Sequence, residues 1–219
     1  MRSIVMGTLL SIAVATTAFA QSRSTYVIGS GGFATTSEAT AGAASGEVGF
    51  EVVRNLFVLG NVGTLRNVEP SIVQPTVDAS VAAATAQGLF VAGQSRVSTR
   101  YFLAGVRYEI PRWTMVTPYV SGGIGTARLT PSASFTYQSG TTVAGTTAIV
   151  GADATNDVET SGLFTPPAST NAMLVRFGAG LKIPIGPRLL GDIGYSVSRI
   201  SSDTPVSAQG LQFGVGFRF

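Results

Sequence analysis

The sequence contains neither cysteine nor histidine. Without cysteine there is no disulfide framework, no thiolate metal site and no thiol nucleophile. Without histidine, every Ser-His or Asp-His catalytic arrangement is excluded, and with it the usual general base for cleaving peptides or esters. Charge is also scarce. Asp, Glu, Lys and Arg make up 11% of the 219 residues, against roughly 25% in a typical soluble domain. The formal net charge of +3 is too small to point to nucleic acid as a partner. Long apolar runs are missing beyond the N-terminus, yet the mean hydropathy is +0.36. A chain this apolar without hydrophobic helices is accounted for when lipid-facing residues occupy every second position.

The remaining candidates for chemistry are weak, and no catalytic residue, metal site or cofactor is expected. Glu47 and Glu51 form an acid pair on one strand face, where a sugar could not enter. Lys182 could activate a serine only from an inward position near one strand end. Asp153, Asp157 and Glu159 have irregular spacing and read as a solvated loop rather than a calcium site. Gly29-Ser-Gly-Gly32 and Gly122-Gly-Ile-Gly125 precede no Lys-Ser/Thr and no helix, so they are not phosphate loops.

The most informative segment is Leu211-Gln-Phe-Gly-Val-Gly-Phe-Arg-Phe219. Leu211, Phe213, Val215, Phe217 and Phe219 share one face of an extended strand, and Gln212, Gly214, Gly216 and Arg218 share the other. An apolar outside and a small, polar inside suggest a membrane-barrel strand. At the other end, Arg2 precedes an apolar stretch, and Ala18-Phe19-Ala20 reads as a cleavage site. Residues 1–20 are expected to be a secretory signal peptide and residues 21–219 the barrel domain.

Seven further alternating segments join the terminal one: Thr25–Thr35, Gly46–Arg54, Leu56–Asn67, Ser98–Ile110, Thr117–Leu129, Ala172–Ile183 and Leu189–Ile200. A tilted strand of ~9–11 residues crosses a bilayer. Short connections at Arg54-Asn55, Pro111–Val116 and Pro184–Arg188 alternate with longer ones at Thr36–Ser45, Val68–Val97, Thr130–Asn171 and Ser201–Gly210. Turns on the periplasmic side and loops outside are the outer-membrane layout. The expected fold is therefore all-β, an eight-stranded antiparallel up-and-down transmembrane barrel. The faces of the first and third segments stay unassigned. Val77–Gln87 could form a short helix, and parts of Thr130–Asn171 could extend the neighbouring strands.

Such a barrel is only wide enough for side chains to fill it. The alternation places Glu47, Glu51, Arg107, Glu109, Arg176, Lys182, Asp192 and Arg218 inside. Buried charges must be paired, and this balanced set reads as an internal ion-pair plug in preference to a selectivity filter. Arg66, Arg100, Arg128 and Arg199 fall near the outer strand ends. They are candidate contacts for lipopolysaccharide phosphates, which arginine matches bidentately, with interfacial snorkelling as the competing reading. Tyr26, Tyr108, Trp113, Phe217 and Phe219 read as an aromatic belt on the periplasmic side, and Phe33 and Phe102 on the other.

Thr117-Pro-Tyr-Val-Ser-Gly-Gly-Ile-Gly, Arg176-Phe-Gly-Ala-Gly-Leu-Lys and the terminal Phe219 carry a resemblance. The chain resembles the small outer-membrane β-barrel family, which includes the OmpA transmembrane domain, OmpX-like and opacity-type proteins. The resemblance implies location in the cell outer membrane. It also implies that Phe213, Phe217 and Phe219 form the signal read by the barrel-assembly machinery. The functional expectation is a non-enzymatic surface scaffold whose loops contact external surfaces. Its partners are then outer-membrane lipid and lipopolysaccharide, with no nucleic acid. The alternatives are a narrow channel for small or hydrophobic solutes and a soluble lipocalin-like barrel.

Overall fold

A computed structural model describes residues 24–219, apart from 38, 69, 112–114, 141, 143–144 and 203–204. The expected signal peptide and Trp113 lie outside the described residues. Eight antiparallel strands form one closed barrel in sequence order. They are β1 (Thr25–Thr35), β2 (Thr40–Val53), β3 (Leu56–Leu65), β4 (Leu89–Glu109), β5 (Thr117–Gly140), β6 (Thr170–Pro184), β7 (Leu189–Ser201) and β8 (Val206–Arg218).

The period of two decides which way each side chain points. On β6, Leu174 and Lys182 are buried while Met173, Phe177 and Leu181 are exposed. The unassigned faces are resolved in the same manner. On β1, Tyr26 and Ile28 point inward and Val27 and Phe33 outward; on β3, Phe57, Leu59 and Asn61 point inward and Val58 and Val62 outward. Tyr26 is thus not part of the lipid-facing belt. Its ring packs on Phe57 inside the barrel, because Val27 and Phe33 claim the opposite parity.

The register carries the geometry of the wall. Cα partners followed from Thr25 through Phe50, Val58, Val106, Gly122, Phe177, Val197 and Gln209 return to β1 at Thr35, ten residues further along. Eight strands with this offset are tilted by ~40°. Each step to the next strand therefore rises by a little over one residue. On that slope the turn residues Asn55, Ile110 and Leu189 fall at one level, the rim of short turns that the sequence reading assigns to the periplasm.

Local sequence sets the turns. Asn55 adopts φ 67° in the two-residue connection closed by Val53 and Leu56, and asparagine tolerates this left-handed conformation. A register shift between Glu51 and Val53 marks a bulge just before it.

Four strands extend well beyond the segments that the alternation picks out. β2 begins at Thr40, so the first outer connection shrinks to residues 36–39; β8 begins at Val206, which shortens the last one. Alanine, serine and glycine at these ends give little apolar contrast to read. β4 and β5 run on together, from Thr99 opposite Leu129 to Leu89 opposite Gly140, as a hairpin standing above the barrel. The helix α1 (Gln74–Ala86) begins three residues before the expected Val77, because Pro75 is well suited to a first helical turn. Gly88, at φ 82°, ends it and turns the chain into β4. Val77 of α1 is fully buried and packs toward Phe135 on the inward side of the hairpin. A second helix, α2 (Thr155–Thr160), buries Val158 beside β5. α1, α2 and the hairpin thus share one apolar core with the outer half of the barrel.

Candidate functional site

The barrel interior is layered. Above the periplasmic rim, Tyr26, Ile28, Phe57 and Leu190 form a small apolar cluster. Beside it sits a charged layer drawn from four strands. Arg107 of β4 holds Glu47 of β2 at 2.6 Å through Nη2 and faces Asp192 of β7 at 3.5 Å through Nη1. Lys182 of β6 pairs with Glu109 of β4. All five side chains are at least nearly nine-tenths buried, with Glu47 the most exposed at 12%. Buried charges at this depth need every available hydrogen bond.

Tyrosines provide many of those bonds. Tyr26 Oη donates to Glu47 Oε1 at 2.8 Å, and Asn61 Nδ2 donates to Glu47 Oε2 at 3.4 Å. Tyr119 Oη donates to Asp192 Oδ1 at 2.9 Å. The Arg107 guanidinium lies 3.9 Å from the Tyr119 ring centroid and the Lys182 ammonium 4.1 Å from that of Tyr26, so both cations rest on aromatic faces. These tyrosines fit because glycine stands opposite them. Tyr26 is the direct partner of Gly49, and Tyr119 of Gly180. A Cβ at either glycine would run into the facing ring.

Three of the eight inward charges expected from sequence lie outside these ion pairs. Arg176 donates to Ser198 Oγ and Tyr101 Oη, both at 2.9 Å, and stacks on the Tyr101 ring. Glu51 sits at the rim and accepts from the backbone amides of Ser24 and Asn55. Arg218 is half-buried at the same rim. Sequence reasoning missed Tyr26, Tyr101, Tyr119 and Asn61; for Tyr101 the available signal was its shared parity with Arg107 and Glu109 on β4, whereas β1 and β5 carry no inward charge that would mark Tyr26 or Tyr119.

Between the ion-pair layer and the Arg176–Tyr101 layer lies a cavity of about 50 Å³, lined in part by Ser45, Asn61, Ser121, Ser196 and Gln212. It has room for about three water molecules. Above Arg176 the interior turns apolar, with Leu65, Leu129, Leu174 and Ile200 all buried. Val68, Val73 and Val77 continue this core toward the hairpin.

The exterior is the reverse of the interior. Val106, Val120, Ile124, Phe177, Phe213, Val215 and Phe217 are exposed on the outer wall, and Phe219 is 78% exposed. Every acid on a strand points inward. Arg66, Arg100, Arg128 and Arg199 are exposed and close this apolar band from above. On the slope set by the register they share one level, ~25 Å above the periplasmic turns. That is the height of the apolar band of outer-membrane barrels.

In the outer loop, Asp153 accepts the amide of Thr155 at 2.9 Å, and Asp157 accepts the Tyr137 hydroxyl. Hydrogen bonds from the side chain and backbone of Thr155 hold the Asp153 carboxyl below its usual pKa. Among the described residues no group of acids converges to hold a metal ion.

The sequence matches no protein-family model and no curated protein. Solved structures do match its fold. Neisserial surface protein A is 14% identical, with 91% of this chain and 98% of that chain covered and a TM-score of 0.52. A major outer membrane protein from Thermus thermophilus is 12% identical, with 91% and 100% covered and a TM-score of 0.50. With its closed topology and apolar outer wall, the chain has the fold of these small outer-membrane β-barrels.

Proposed function

We propose that this protein is a non-conducting surface scaffold: a sealed eight-stranded barrel that carries a folded platform outside the membrane. The observation that supports this reading is the layering of the lumen. Arg107, Glu47 and Asp192 pair across the lumen, a small apolar cluster lies beside them, and an apolar core lies above Arg176. An ion crossing this path must displace a buried salt bridge and then a dry layer, each costing several kcal/mol.

In this reading the β4–β5 hairpin, α1 and α2 form the surface that meets external partners. They share a buried core, which makes them a platform of defined shape. The lipid-facing Phe213, Phe217 and Phe219 serve as the segment that the assembly machinery engages while the barrel is still open. The function is carried by no catalytic group.

Single-channel recording in planar bilayers tests the proposal. The refolded protein is expected to leave the bilayer silent. Stable, reproducible conductance steps would overturn the sealed scaffold in favour of a narrow channel.

A further inference from the structure

We propose that Arg100 and Arg128, flanked by Arg66, form a single focused binding site for a phosphate group of a phosphorylated outer-leaflet glycolipid, and that Arg199 is not part of it. The proposal rests on the outer-membrane placement of the barrel and is independent of whether the lumen conducts.

Arg100 on β4 and Arg128 on β5 are direct cross-strand partners, and both point outward and are exposed. Directly opposed residues on one sheet face have Cβ atoms about 5 Å apart, and like charges there destabilise the pairing. Arg66 continues the outward face of β3 beyond Leu65, which pairs with Thr99. That makes Arg66 a diagonal neighbour of Arg100, at roughly 7–8 Å. Three arginines thus stand side by side on three adjacent strands.

Nothing among the described residues offsets this charge. The outward neighbours are Thr64, Ser98, Phe102, Thr126, Thr130 and Asn171, and no ion pair involves any of the three arginines. Arg199, at the same level on β7, lies between Val175 and Ser207 on the adjacent strands, apart from the three. A repulsive pair placed at the membrane surface, above an apolar wall and beside hydroxyl donors, is complementary to one doubly charged oxyanion. Arginine's planar fork binds phosphate bidentately. Phe102 next to the site supplies lipid-facing surface for an acyl chain. This combination favours a phosphate carried on a lipid over one free in solution.

The test uses the full barrel refolded in detergent micelles, with diphosphorylated lipid A, its dephosphorylated form and inorganic phosphate as separate probes. The wild type is expected to bind diphosphorylated lipid A at least about tenfold more tightly than the dephosphorylated form, and about tenfold excess inorganic phosphate is expected not to displace it. R100Q/R128Q is expected to lose that preference, and R199Q to keep it. A preference that survives in R100Q/R128Q, or one lost equally in R199Q, overturns the proposal; displacement by inorganic phosphate overturns its assignment to a lipid. A second measurement separates binding from folding. Without lipid, R100Q/R128Q is expected to unfold at a higher temperature than the wild type because the repulsion is gone, and lipid A is expected to raise the wild-type temperature alone. If R100Q/R128Q is less stable without lipid, the two arginines are not a strained pair awaiting an anion, and the proposal fails.

Discussion

Lys182 and Asp192 are direct partners on β6 and β7, yet the Lys182 ammonium pairs with Glu109 on β4. Asp192 is left to Arg107 and to the Tyr119 hydroxyl. The pairing therefore skips the neighbouring strand and crosses the lumen. Adjacent strands are already joined by backbone ladders, so ion pairs that bridge non-adjacent strands brace the cross-section of the barrel.

Arg107→Ala is expected to be the most damaging single change in the lumen. It leaves Glu47 and Asp192 buried without their cation. Breaking a buried pair by removing one partner costs about 3–5 kcal/mol. Urea unfolding of the refolded protein should show the loss as an earlier midpoint. Adding E47Q and D192N to the variant should recover part of it, and absence of any recovery would place the cost in lost packing.

Tyr119→Phe keeps the ring beneath Arg107 and removes only the hydrogen bond to Asp192. A hydrogen bond to a charged group contributes about 1.5–3 kcal/mol. Gly180→Val removes the space that the ring itself occupies, and overpacking costs about 1–3 kcal/mol or more. The same unfolding measurement is expected to find both variants destabilised. The near-ultraviolet circular dichroism is expected to change in both, in Tyr119→Phe by loss of one buried tyrosine and in Gly180→Val by displacement of the Tyr119 ring.

Phe135→Ala is expected to loosen the outer platform while the barrel stays closed. Phe135 is fully buried and packs edge-on against Phe164 at 5.3 Å. Removing a buried phenyl group costs about 3–5 kcal/mol. Limited proteolysis of whole cells should then cut within residues 141–169, and the boiled and unboiled samples should still migrate differently on a denaturing gel. Loss of that heat shift would mean that the platform and the barrel fold as one unit.

Phe213→Ser, Phe217→Ser and Phe219→Ser together are expected to lower the amount of barrel in the outer membrane several-fold. All three side chains are exposed on the outer wall and fill no interior space. Refolding in detergent micelles should proceed nearly as in the wild type. Equal loss in the cell and in the micelle would assign these residues to stability and remove their role in assembly.

The fold was legible in the sequence wherever large apolar residues alternate with small or charged ones. β1 and β7 show it: the alternation starts them at Thr25 and Leu189, where the strands begin. The upper halves of β2, β4 and β5 were not legible. At Thr40–Ser45 and Ser132–Ser134, alanine, serine, threonine and glycine occupy both faces, so the pattern loses contrast although the backbone ladder continues. The inward direction of the charges could be read from parity alone. Their partners could not, because Lys182 is 73 residues from Glu109 and pairs with it across the lumen. The apolar layer above Arg176 was hidden for a related reason. Leu174 shared a parity with Arg176 and Lys182, and only the register brings Leu65, Leu129 and Ile200 to the same part of the wall.

The seam between β1 and β8 has a consequence for how this chain reaches its native state. Tyr26 finds its partner in Arg218, at the far end of the described chain. Until that ladder zips, both strands are bare edges able to pair with any other extended segment. Contacts of such long sequence separation form slowly. The hazardous interval for this protein therefore precedes closure, and its length is governed by how soon β8 is delivered to β1.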